Sequence, residues 1–208
     1  MRTSADTERV APSRRPRTGA ALLVIAVVAS AAAVHSWRTR PGHRPDATEL
    51  RYQLAAAASV VAGIAANVRC QTAAEASVDR TTDLGHVQIW IDDVPERTAV
   101  IKYVQCERIA DYIADHGRDP DRADVIAVHV LTHESVHMSG QHDEALTECA
   151  AMQRDAQTAR VLGADDDDAR TVGERYWSDV YPYMPADYRS PDCRAGGLFD
   201  EHRPDPPW

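Results

Sequence analysis

The chain has 208 residues, 44 % of them hydrophobic and 6 % aromatic, enough for one modest domain whose core leans on Ala and Val. Residues 1–44 carry eight Arg against Asp6 and Glu8, so the remainder holds about −15 of a chain whose net charge is −9. A domain that acidic repels phosphate, which excludes nucleic acid as a partner.

The chain opens on a polar tail, residues 1–19, with Arg14, Arg15 and Arg17 just before the apolar run "AALLVIAVVASAAAV" at 20–34. Arginines ahead of such a run predict a signal anchor, with residues 20–37 spanning the membrane, or a signal peptide cleaved near "ASAAA". Either case places the following domain outside the cytoplasm, at the cell membrane or secreted. Residues 38–46, "RTRPGHRPD", read as a Pro- and Arg-rich linker, and 47–208 as one extracytoplasmic domain. Cys70, Cys106, Cys149 and Cys193 make an even number in an exported domain, so two disulfides are expected; three pairings are open.

Within that domain, Asp46 is set to cap a helix over 47–68, with Leu50, Leu54, Ala57, Val61, Ile64 and Val68 on one stripe. Residues 72–83 read as loop. "GHVQIWIDD" at 85–93 alternates and predicts a strand ended by Pro95; "TAVIKY" at 98–103 predicts a shorter one. Helices follow at 106–117, closed by Gly117, and from Pro120–Asp121 to Gly140. Asp143 is set to cap the next helix, to Leu162. Another covers 167–181, behind an acidic run "DDDD" at 165–168 that reads as a solvated helix start. From Pro182 the chain is irregular. The class is α+β, mostly helical, with a small two- or three-stranded sheet.

The chemistry concentrates in "VLTHESVHMSGQHDEALTECAAM", residues 130–152. His133 and His137 are four apart, so a helix stacks both imidazoles on one face. Two neutral ring nitrogens at about 2.0–2.1 Å from one Zn2+ are an ordinary pair of ligands. Glu134 lies between them, where a carboxylate can take a proton from a metal-activated water as general base. A third ligand is needed. Glu144 is the preferred candidate, Asp143 the alternative metal ligand, and Glu148 a third. Each also has a plain reading: helix cap for Asp143, first-turn dipole partner for Glu144, surface carboxylate for Glu148. His129, one turn before His133, reads as a packed or supporting group. One of Tyr176, Tyr181, Tyr183 and Tyr188 is a candidate phenol donor to an oxyanion, with packing the plain role for each.

These residues carry a resemblance. "HESVHMSGQHD" resembles the metzincin pattern HExxHxxGxxH with Asp143 in the last position, and "YPYMPADY" around Met184 is a loose counterpart of the Met-turn. "EALTE" resembles the second helix of thermolysin-like enzymes, the gluzincins. That likeness implies Glu144 as zinc ligand and Glu148 as the carboxylate orienting His133 or His137. It also implies a cleft lined by the strand near 86–91. The stretch 130–152 is similar, too, to single-span bacterial proteins with HExxH followed by D-E-A-x-x-E-C, which implies no known substrate. The expectation is a zincin-like domain: a membrane-anchored or secreted zinc metallopeptidase acting on a peptide or protein outside the membrane. The alternative is a non-catalytic zincin-like envelope module that binds a protein partner.

Overall fold

The computed structural model describes residues 42–89 and 95–208. The expected tail, the membrane segment at 20–37 and the start of the linker lie outside them. Among the described residues, no helix is long and apolar enough to cross a membrane. The described residues form seven α-helices and one three-stranded sheet, which make the class α+β and mostly helical.

Helix α1, Ala47–Ala62, starts as expected on Asp46, whose carboxylate accepts from Thr48 N and Glu49 N while Glu49 answers back. It stops earlier than expected. Gly63 takes the left-handed conformation at φ 68°, and the chain then extends. Residues 67–70 form β1, Asn67–Cys70. Val68 belongs to that strand and not to the helix stripe: Ala66 and Val68 are buried while Asn67 and Arg69 are exposed, a period of two. The expected loop at 72–83 contains a short exposed helix, α2, Ala73–Val78, held by a Thr72–Glu75 capping box.

Strand β2 is Gly85–Ile89 and β3 is Pro95–Ile101. Pro95 opens the second strand, which runs earlier than the expected 98–103; a first position needs no ladder N–H. The order is β1-β3-β2, with β1 parallel and β2 antiparallel to β3. The register Gly85↔Ile101 and Val87↔Ala99 shifts before Ile89↔Pro95. One side of β2 is therefore a sheet edge.

Helix α3, Tyr103–Ala114, leads to α4, Arg122–Met138, which is capped by Asp121. From Ala127 to Met138 every residue of α4 is buried. It is the central rod of the domain, packed by α1, α3, the sheet and the helices that follow. Polar groups on it must find partners inside the protein, since unpaired burial is costly.

The helix expected from Asp143 to Leu162 is two helices, α5, Glu144–Met152, and α6, Asp155–Val161. Gln153, 3 % exposed, lies at the break. Its amide nitrogen donates to Cys149 O at 3.0 Å and Phe199 O at 2.8 Å, and its amide oxygen accepts from Glu201 N at 2.8 Å. A contact across 46–48 residues thus decides where α5 ends. Helix α7, Asp166–Arg175, starts on the Asp165 cap with Asp166 and Asp167 exposed, the solvated start expected of the acidic run. It ends short of the expected 181, passing into a π-helical turn at Tyr176–Val180 and a tight turn at Tyr181–Tyr183. The rest is irregular apart from one turn at Ala186–Tyr188.

Two disulfides close the pairing that spacing left open. Cys70–Cys106 ties β1 to α3, and Cys149–Cys193 ties α5 to the irregular C-terminal segment. The second spans 44 residues, worth about 4 kcal/mol of lost unfolded-chain freedom in the loop-entropy account.

Candidate metal centre

Helix α4 presents His133, Glu134 and His137, which are 8 %, 6 % and 7 % exposed. Gly140, at φ 102°, turns the chain back after α4. Asp143 then caps α5 by accepting from Leu146 N at 2.9 Å. The short connection brings the first turn of α5 beside the last turn of α4. Glu144 Oε2 lies 3.2 Å from His133 Nε2 and 3.4 Å from His137 Nε2, and the two Nε2 atoms are 3.0 Å apart.

The other ring nitrogens settle what those three atoms are. His137 Nδ1 lies 2.7 Å from the Gln141 carbonyl oxygen, which can only accept, so Nδ1 carries the hydrogen. His133 Nδ1 lies 2.9 Å from Glu148 Oε2 and donates to that carboxylate in the same way. In the neutral rings both Nε2 atoms are therefore bare lone pairs. Two lone pairs and a carboxylate oxygen then converge with no hydrogen-bond donor among them, an arrangement that could hold a metal ion. Their separations of 3.0–3.4 Å suit a tetrahedral ion with bonds near 2.0–2.1 Å, for which donors stand ~3.3 Å apart. Without a metal, a proton takes the place. Burial alone would lower His133, but the bonds to Glu144 and Glu148 outweigh it and hold the ring up at about 9. Hydrogen bonds with His133 and His137 hold Glu144 down at about 2.

A second His–Glu group lies beneath. His129, His133 and Glu148 offer atoms within 4.8 Å of one another, all buried. Here donors and acceptors match. Glu148 Oε2 accepts from His133 Nδ1 and from His129 Nε2 at 3.1 Å, and Glu148 Oε1 accepts from the Tyr176 hydroxyl at 2.7 Å. These bonds and the nearby histidines hold Glu148 below the usual carboxylate range against its burial.

Glu134 faces a different environment. Burial pushes its carboxyl up, and among the described residues it has no hydrogen-bond partner. It packs on the backbone at the start of β2: a Cβ on Gly85 would stand 2.9 Å from Glu134 Cγ and 3.0 Å from Oε1. The site opens into a cleft of about 670 Å³. Residues 82–87 form one wall, α4 the floor, and the segment around Val180, Met184 and Tyr188 the other wall.

The structure thus brings His133, His137 and Glu144 together, with Glu134 on the same helix. It places Glu148 behind His133 and not behind His137, the choice that spacing left open. Asp143 is a helix cap outside both groups. Of the tyrosines, Tyr176 is committed to Glu148, Tyr181 bonds the Ser190 backbone, and Tyr183 is 80 % exposed. Tyr188 lines the cleft with its ring 5.8 Å from that of His133. His86 and His142 also line it. Sequence reasoning passed over the Gln141 carbonyl, Gly85 and Asp155. No sequence signal marked Asp155, which stands in the polar stretch "QRDAQT". No family model, no curated protein and no solved structure matches the chain.

Proposed function

We propose that the protein is a zincin-like, zinc-dependent metallopeptidase, held by residues 20–37 at the cell membrane or secreted, and cleaving peptides or proteins outside the membrane. One observation carries the reading: three acceptor atoms converge, donor-free, beside a buried carboxylate without a partner, at the floor of a cleft. His133, His137 and Glu144 would hold the ion. Zinc supplies Lewis acidity, lowering the pKa of water and polarising a carbonyl.

The chain's own groups do the rest. The Glu134 carboxylate takes a proton from the attacking water and returns it to the leaving amine nitrogen, so that one water and one amide bond become an acid and an amine. Burial favours this, because a raised carboxyl pKa suits a group that must both take and release a proton near neutrality. The Glu148 carboxylate and the Gln141 carbonyl fix the two histidine tautomers. The Tyr188 hydroxyl donates to the substrate's carbonyl oxygen as charge develops there. The free edge of β2 takes the substrate backbone as an added strand.

The test is zinc content together with cleavage of internally quenched peptides, wild type beside Glu134→Gln. About one zinc per chain in both proteins, with cleavage in the wild type alone, supports the reading. Full activity in Glu134→Gln overturns it. Zinc without any cleavage of unfolded protein substrates favours a non-catalytic envelope module that binds a protein partner.

A further inference from the structure

We propose that His129 is a positioning residue for the metal site, a cation clamped between Asp155 and Glu148 that holds Glu148 against the His133 ring; the proposal rests on the metal reading above.

The geometry leaves His129 little choice of form. Its Nδ1 lies 2.8 Å from Asp155 Oδ2 and its Nε2 3.1 Å from Glu148 Oε2. A neutral imidazole has one N–H, so a ring facing a carboxylate at each nitrogen is satisfied when both nitrogens donate. The ring is 2 % exposed, Glu148 1 % and Asp155 0 %, so no water competes for these bonds. Tyr176 completes the clamp from above. Its ring stacks on His129 at 3.5 Å between centroids, and its hydroxyl holds the second oxygen of Glu148.

A purely structural role accounts poorly for the cluster. Buried ion pairs rarely outperform apolar side chains of the same volume, and burial pushes the Asp155 carboxyl up. The Glu148 carboxylate sits on the far side of the His133 ring from Glu144, bonded to both His129 and His133. His129 and the metal would thus share Glu148 between them, one through a direct bond and the other through His133. The competing assignment is a second metal on His129, His133 and Glu148. Against it, His129 Nε2 and His133 Nδ1 both point at the single oxygen Glu148 Oε2, the arrangement of two N–H donors on one acceptor.

The test uses the full chain loaded with Co2+, which reports its coordination by visible absorption. Co2+ affinity is measured by competition with a chelating dye in wild type, His129→Gln and Tyr176→Phe. His129→Gln removes the charge and one of the two bonds. Tyr176→Phe removes only a hydroxyl, keeps the stacked ring and guards against a variant that fails to fold. The expected result is one Co2+ per wild-type chain, roughly tenfold weaker binding in His129→Gln, a smaller loss in Tyr176→Phe, and a shifted visible band in both. Unchanged affinity and spectrum overturn the proposal, including where only the thermal stability of the variants falls. Two Co2+ per chain, one of them lost in His129→Gln, also overturn it, because His129 would then be a ligand. A wild-type chain that takes up neither Co2+ nor zinc removes the metal reading itself, and the proposal with it.

Discussion

The two faces of the His133 ring are built from the same residue types and behave oppositely. On the inner face, two N–H donors and a tyrosine hydroxyl meet one carboxylate, and every close pair is a donor with an acceptor. On the outer face, while both rings are neutral, two bare ring nitrogens meet a carboxylate and no pair matches. A cluster of histidines and glutamates is therefore not informative in itself. The tautomers are, and they are set by groups outside the cluster, above all a backbone carbonyl at Gln141.

The largest effect that sharpens this contrast is kinetic. Glu134→Gln is expected to lower kcat by on the order of 10³-fold while zinc content stays at the wild-type level, because the residue touches reacting atoms and not the ion. Steady-state cleavage with parallel metal analysis checks it; loss of zinc in that variant would move Glu134 into the ligand set. Next is Glu144→Ala, which deletes the carboxylate of the outer face. Zinc affinity is expected to fall by more than the roughly 10–100-fold typical of supporting residues, measured by chelator competition. Unchanged affinity would pass the third ligand to another group.

The third prediction concerns pH. Without metal, His133 is raised to about 9 from 6.5, and Glu144 is lowered to about 2 from 4.5. A raised histidine contributes stability that is complete below pH 6.5 and is lost as pH climbs through about 9. A depressed carboxylate contributes stability present above pH 4.5 and lost as pH falls through about 2. The metal-free protein should accordingly be most stable between those windows and melt lower at pH 9 than at pH 6. Metal binding runs the other way, since zinc displaces the proton: apparent affinity should rise by up to about tenfold per pH unit and level off near pH 9. Melting curves and zinc titrations across pH 6–10 read both trends, and a flat zinc affinity would show that no proton occupies the site. The smallest effect is expected from Gly85→Ala. Its new methyl meets the Glu134 side chain, so kcat should fall about tenfold for roughly 1–3 kcal/mol of forced displacement, with zinc affinity unchanged.

How much of this the sequence disclosed depends on how far each interaction reaches. The i, i+4 pair His133/His137, the caps at Asp46 and Asp143 and the helix start at Pro120–Asp121 depend on neighbours within one turn, and all were legible, while the Asp165 cap was read only as a solvated helix start. The strand at Asn67–Cys70 was not, because Val61, Ile64 and Val68 fit a helical stripe and only the left-handed Gly63 separates them. The break between α5 and α6 was hidden for another reason: Phe199 and Glu201 supply the partners of Gln153. The site divides in the same way. Glu144 follows His137 across a short turn and was legible from it, whereas Asp155 reaches His129 across 26 residues and no local pattern announces that contact.

The close approach of Glu134 to Gly85 has a consequence for relatives of this chain. A side chain at position 85 would crowd both the Glu134 carboxylate and the Ile101 side chain, so the constraint there is shared between a site residue and a core residue. Where Glu134 and Ile101 are both replaced by something smaller, position 85 is released to drift. Where Glu134 is kept, glycine should persist, although the two positions lie 49 residues apart in the chain. If the proposed chemistry holds, glycine at 85 beside glutamate at 134 is the combination expected in relatives that keep it.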